Sequence, residues 1–246
     1  MKRFPIALLA ALAVAPLLQT RLAALPAAEA EAGRAIVAHH ADTVIEVELV
    51  VVVRVSVGDK AQPPREIKRE INGTVIAPSG LTVVSLGSID PMGSMRLPPN
   101  MKVEDPEYKE VKLRLSDNTE IPARIVLKDE DLDVAFIAPD PAVPERKFAH
   151  ADLAAPARAE LLGTYFDLSR AQKHLQRTPA IRVVEAIGIV EKPRQLVLLS
   201  AYSPGCPVFD AEGRLLGISV RHTAEGRETG LILLPTASIA ELAPAP

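Results

Sequence analysis

Ser203–Val220 reads SPGCPVFDAEGRLLGISV. Pro207 to Asp210 and Leu215 to Val220 are short apolar strands, and Glu212-Gly213 between them is a hairpin turn signal. The same style recurs to either side. Upstream lie Ala159 to Gly163, Ala180 to Val190 and Gln195 to Ser200, and downstream Gly230 to Leu234. Thr236 to Leu242 predicts a short terminal helix.

The first half of the chain has the same character. Thr43 to Val57 (TVIEVELVVVVRVSV) is β-branched, alternating at first and then continuously apolar, as a strand buried on both faces is. Glu66 to Ile76 and Leu81 to Leu86 continue as strands around the turn Pro78-Ser79-Gly80. Gly87 to Glu110 carries Pro91, Pro98, Pro99 and Pro106 and reads as a long surface loop. Val111 to Leu115 and Ile121 to Leu127 form a hairpin, and Asp133 to Ala138 is a further strand. Pro139 to Pro144 (PDPAVP) marks the joint between two halves. No stretch of helical period is long enough for a core helix. Short strands at roughly 8–12-residue spacing imply an all-β chain, two small barrels or a sandwich.

Composition agrees. The 246 residues are 48% hydrophobic and 3% aromatic, with 22 Pro and one Cys. The apolar content excludes a disordered chain, and a single Cys excludes a disulfide framework or a Cys-rich zinc site. A net charge of −3 gives no basic surface for nucleic acid. Met1-Lys2-Arg3, the apolar run Phe4 to Leu18 and an Ala-x-Ala site at 28–30 or 30–32 have the layout of a secretory signal peptide. The alternative is an uncleaved anchor, for which about 15 residues are short against a ~30 Å hydrocarbon core. The expected organisation is a signal peptide over 1–30, a β-barrel over 31–145 and a second over 146–246. The mature chain is expected to be exported, periplasmic or secreted, and free of the membrane.

Five segments in order resemble trypsin-like serine proteases, and specifically the HtrA-type protease domain. Asn72 to Ser85 (NGTVIAPSGLTVVS) is similar to the strand–turn–strand leading to the catalytic His. Val111 to Asp140 is similar to the segment around the catalytic Asp, and Glu160 to Leu168 (ELLGTYFDL) to the family's "G-x-P-x-G-L". Ser203 to Val220 resembles "N-S-G-G-P-L-x-x-x-x-G-x-V-x-G-I", and Gly230 to Ile239 the terminal "G-x-x-x-A-I-P-x-x-x-I". The resemblance spans most of residues 66–242. It implies two antiparallel six-stranded barrels with an active cleft between them, and leaves no residues for a C-terminal PDZ module.

The family's chemistry needs a Ser nucleophile, a His base and an orienting Asp. Carried over residue by residue, the His position holds Gly87, the Asp position Asp133 and the Ser position Pro204. Only the Asp is retained. Glycine has no proton-accepting side chain and proline no nucleophile. The oxyanion loop is degenerate as well. Tyr202 stands where the family has glycine, Pro204 lacks the N–H that the nucleophile residue supplies, and Ser203, Gly205 and Cys206 complete the altered loop. Loss of an oxyanion donor alone costs roughly 10²–10³ in rate.

Ser203 and Cys206 are the candidate substitute nucleophiles, and His39, His40, His150, His174 and His222 the candidate bases. None of the five follows the Leu81–Ser85 strand, where the base must project, and each reads as a surface or turn histidine. Asp129, Glu130, Asp131 and Asp133 read as a solvated turn before a strand rather than a cation site. No cofactor and no metal is expected. The expected function is that of an exported pseudoprotease, a peptide- or protein-binding or scaffolding module using the inter-barrel cleft. The alternatives are an active serine endopeptidase with displaced residues and an unrelated exported β-sandwich.

Overall fold

The β-branched run at the start of the first half folds as two strands, β1 (Val44–Val53) and β2 (Val55–Val57), broken at Arg54. Both edges of β1 are paired, and its odd-numbered residues Ile45, Val47, Leu49, Val51 and Val53 point into one core. A computed structural model describes residues 25–90, 92, 97–224 and 227–244, with 222–224 and 227–231 as backbone only. Residues 1–24, most of the expected leader, lie outside the described residues.

The remaining strands of the first half are β3 (Lys60–Ala61), β4 (Arg65–Val75), β5 (Thr82–Ser85), β6 (Met101–Val103), β7 (Glu107–Arg114), β8 (Glu120–Asp129) and β9 (Val134–Pro139). Five of them close a barrel with β1, in the order β1-β4-β5-β9-β8-β7, and β3-β2-β6 forms a small separate sheet. The second half contributes β10 (Thr164–Arg170), β11 (Pro179–Val190), β12 (Leu196–Leu199), β13 (Pro207–Phe209), β14 (Leu215–Ala224) and β15 (Arg227–Pro235). They close a second barrel in the order β10-β11-β12-β15-β14-β13. Numbered within each barrel, both orders are 1-2-3-6-5-4, and all pairings are antiparallel. The all-β, double-barrel expectation holds.

The barrels share a core. Val84 on β5 and Ala135 and Ile137 on β9 face into the first barrel. Their neighbours Val83, Val134 and Phe136 face outward and pack with Ile218, Val220, Ile232 and Leu234 of the second barrel. Strands β5 and β9 are thus buried on both faces, which is why their sequences run apolar without alternation. The terminal helix forms over Thr236–Leu242 as expected, and its Ile239 joins this shared core.

Three expectations fail. Helix α1 (Ala27–His40) is a core helix after all: Ile36 is buried against Phe166, Leu168 and Phe209 of the second barrel. Alanine favours helix, and Glu29 in the first turn suits the helix dipole. Both Ala-x-Ala sites fall in its first turns. The 87–110 stretch is not one loop, since it holds the single turn α2 (Leu86–Ile89), β6 and the start of β7. Ala159–Gly163 is not a strand: β10 begins at Thr164, and Leu161 and Leu162 are 62% and 72% exposed.

Candidate functional site

Strand β5 ends at Ser85, and the chain turns at once into α2, which carries Gly87. Asp133 stands just before β9 at φ +56°, a left-handed conformation that Asp adopts more readily than most residues. β5 and β9 are hydrogen-bonded neighbours, so the two sequence positions meet. The buried Asp133 carboxylate accepts from three donors. The Ser85 hydroxyl donates to Oδ2, the Gly87 N–H to Oδ1 at 2.6 Å, and the Arg221 N–H to Oδ2 at 2.8 Å. Burial pushes the carboxyl above its ordinary range, against the opposing pull of these hydrogen bonds and of the Arg221 charge. Since Arg221 lies on β14, Asp133 ties the first barrel to the second.

The space beside Gly87 is tight. A Cβ there would fall 3.0 Å from Asp133 Oδ1 and 3.5 Å from Arg221 Cδ. The stem of Arg221 therefore lies against the face from which any side chain at position 87 would project.

Pro204 sits in a β-turn. The Cys206 N–H donates to the Ser203 carbonyl at 3.0 Å, and Gly205 has φ +80°. Proline at the second position and left-handed glycine at the third are the residues a type II turn prefers. The turn is fixed to both barrels. The Gly205 N–H donates to the Ser219 carbonyl at 2.7 Å and Thr74 Oγ1 donates to the Gly205 carbonyl at 2.7 Å. A Cβ on Gly205 would strike the Asn72 carbonyl and lie 3.5 Å from the Ser85 nitrogen. Gly87, Asp133 and the Pro204 turn thus converge at one place. Pro204 has no N–H, and those of Gly205 and Cys206 are engaged.

The substitute nucleophiles point elsewhere. Ser203 Oγ donates to Asp167 Oδ2 at 2.7 Å, a buried carboxylate of β10. Cys206 is wholly buried, and burial pushes its thiol up, away from the reactive thiolate. Of the histidines, His39 Nδ1 pairs with the Ala35 carbonyl and His150 Nδ1 with that of Phe148. His40 stacks on Phe209 with ring centroids 4.5 Å apart. His174 is exposed on the β10–β11 loop, and the side chain of His222 lies outside the described residues. In the acidic cluster, Asp129 Oδ1 accepts the Leu132 N–H at 2.9 Å, the mark of a turn. Among the described residues no group of three or more His, Cys, Asp or Glu is placed to hold a metal ion, and no helix is long and apolar enough to cross a membrane.

An open cleft of about 740 Å³ lies between the barrels. Glu46, Glu70, Ile71 and Asn72 of β1 and β4 form one wall, and Arg170 with residues 171–174 the other. Gly87, Asp133 and Pro204 do not line it; Asn72, whose carbonyl abuts Gly205, connects the two places. The Asn72 side chain also bonds the main chain of Arg170, at 3.1 and 3.3 Å. Arg177 on the β10–β11 loop crosses to Glu46 at 2.6 Å. Sequence reading missed Asp167, Arg170, Arg177 and Arg221. Only Asp167 carried a signal, a carboxylate inside the apolar strand TYFDLSR.

No protein-family model and no curated protein sequence matches the chain. Solved structures do. The protease domain of MamO from Magnetospirillum magneticum aligns with a TM-score of 0.50 at 19% identity, covering 79% of this chain and 96% of that one. The HtrA-type protease AlgW, solved with a tripeptide, aligns with a TM-score of 0.54 at 12% identity, covering 84% of this chain. This chain spans 60% of that protein's length. Likeness at such identities speaks for architecture, and with two closed six-stranded antiparallel barrels it establishes that the chain has the trypsin-like serine protease fold.

Proposed function

We propose that the chain is a catalytically inactive protein of this fold, exported by its N-terminal segment, that binds peptides or proteins in the inter-barrel cleft. The observation that carries the reading is the bonding of Asp133. Its three donors are a serine hydroxyl and two main-chain N–H groups, and the stem of Arg221 covers the face of Gly87 where a base would stand. Double displacement needs a base within reach of a nucleophile. Here the retained aspartate acts as a staple between barrels. The rival reading, an endopeptidase with displaced residues, rests on Ser203, whose hydroxyl donates to Asp167 and not to a histidine.

The cleft supports binding. Its β1–β4 wall carries the exposed Glu70, and its opposite wall the exposed Lys173, an arrangement suited to an extended chain bearing both signs of charge. The test is to incubate the protein with fluorescein-labelled casein and with an immobilised library of unstructured peptides. The reading expects no casein cleavage and retention of a subset of peptides. Gln172→Trp, which fills the cleft from an exposed position, is expected to reduce that retention severalfold. Casein cleavage, or retention indifferent to Gln172→Trp, overturns it. Gly87→His with Pro204→Ser is also expected to leave casein intact, because the new imidazole enters space bounded by Asp133 and the stem of Arg221.

A further inference from the structure

Beneath the Ser203–Cys206 turn the second barrel buries a carboxylate whose surroundings satisfy it only in part. Asp167 is 1% exposed. Its Oδ2 accepts from Ser203, while its Oδ1 is buried without a hydrogen-bond partner. Its neighbours across the sheet are Arg182 on β11 and Val208 on β13. The turn brings Ser203 and the Cys206 thiol toward it. Arg182 is the one cation among these neighbours. It is exposed, and its Nη1 reaches the Tyr202 carbonyl at 3.5 Å, so it bridges the same segment.

We propose that the Asp167–Ser203 pair is a pH-sensitive latch, which holds the Tyr202–Cys206 segment closed when the carboxyl is protonated and loosens it when the carboxyl ionises. As a neutral acid, Asp167 keeps its hydrogen bond to Ser203 and leaves no charge in the barrel. As an anion, it holds a charge away from water with one oxygen unsolvated, and opening the turn wets that oxygen. Burial accordingly raises this carboxyl from 3.8 to about 6. A pKa raised in the closed form means that closure is fully favoured below the ordinary value and weakens as pH climbs toward 6. The open fraction then grows by up to ~10-fold per pH unit over that window, ~100-fold in all, and levels off above it. Opening also breaks the Thr74–Gly205 and Gly205–Ser219 bonds, so the open form stays rare and is read kinetically. The latch stands whether or not the cleft binds peptides.

Cys206, the sole cysteine, ends the turn and is wholly buried, so it reports opening. The experiment follows its reaction with dithiodipyridine, normalised at each pH to the same chain unfolded in urea. The normalised rate is expected to rise about 100-fold from about pH 4 to about pH 7 and then to flatten. Asp167→Asn is expected to give a flat profile. Ser203→Ala, which keeps the carboxyl but removes its partner, is expected to react faster and to keep the rise. Urea below the unfolding transition is expected to leave the rate unchanged, as for local opening. A flat wild-type profile, a rise surviving in Asp167→Asn, or a rate that climbs with urea along the global unfolding slope overturns the latch.

Discussion

Asp133 and Asp167 are buried aspartates, one in each barrel, and both have carboxyl pKa values raised by burial. Their bonding differs. Asp133 receives three donors from three segments, two in its own barrel and one in the other. Asp167 is bonded by a single residue, Ser203 of the turn, and keeps one oxygen without a geometric hydrogen-bond partner. A buried charge contributes to stability only when its partners offset the loss of water. The partners of the first aspartate offset part of that loss and tie the junction between barrels. Those of the second offset less, which makes its neighbourhood the more sensitive to pH.

The comparison can be broken at three points. Asp133→Ala carries the largest expected effect, since it strands the Ser85 hydroxyl and the Gly87 and Arg221 N–H groups; a loss of roughly 3–5 kcal/mol is expected in urea unfolding. A midpoint like that of the wild type would remove the staple from the account. Asp167→Asn comes next, with a sign that depends on pH. The wild type loses stability as pH rises from 3.8 through about 6, whereas the amide does not titrate. Relative to its effect in acid, the variant should gain up to ~3 kcal/mol above that window, read from urea midpoints on either side of it. An equal effect at both pH values would contradict the assignment. Ser203→Ala is the smallest, costing about 1–2 kcal/mol where Asp167 is ionised and less in acid, because hydrogen bonds to charged groups are the stronger ones. A loss that is larger in acid would reverse the argument.

What could be read from sequence followed from how completely each segment is buried. Strands β5 and β9 pack on both faces and announce themselves as unbroken apolar runs. Helix α1 hides because Gly33 and Ile36 are its only fully buried residues, too few to leave an apolar stripe, and its alanines equally fit a leader. Strand β6 is short and lies among prolines. Ala159–Gly163 misled by composition, for its two leucines face solvent and Leu162 has φ +64°. At the site, Gly87, Asp133 and Pro204 were named from motif register. The role of Arg221 was not legible, because its contact with Gly87 exists only once β14 crosses the end of β5. Asp167 was legible in principle as a charge in an apolar strand, but its partner Ser203 lies 36 positions away.

On the function proposed above, this protease architecture lacks a working nucleophile and base. The most direct measurement is the intact mass of the native protein after prolonged exposure to excess fluorophosphonate, which marks activated serines. The account predicts an unchanged mass. An adduct that forms only on the folded chain and disappears with a single substitution, Ser203→Ala first among them, would contradict it.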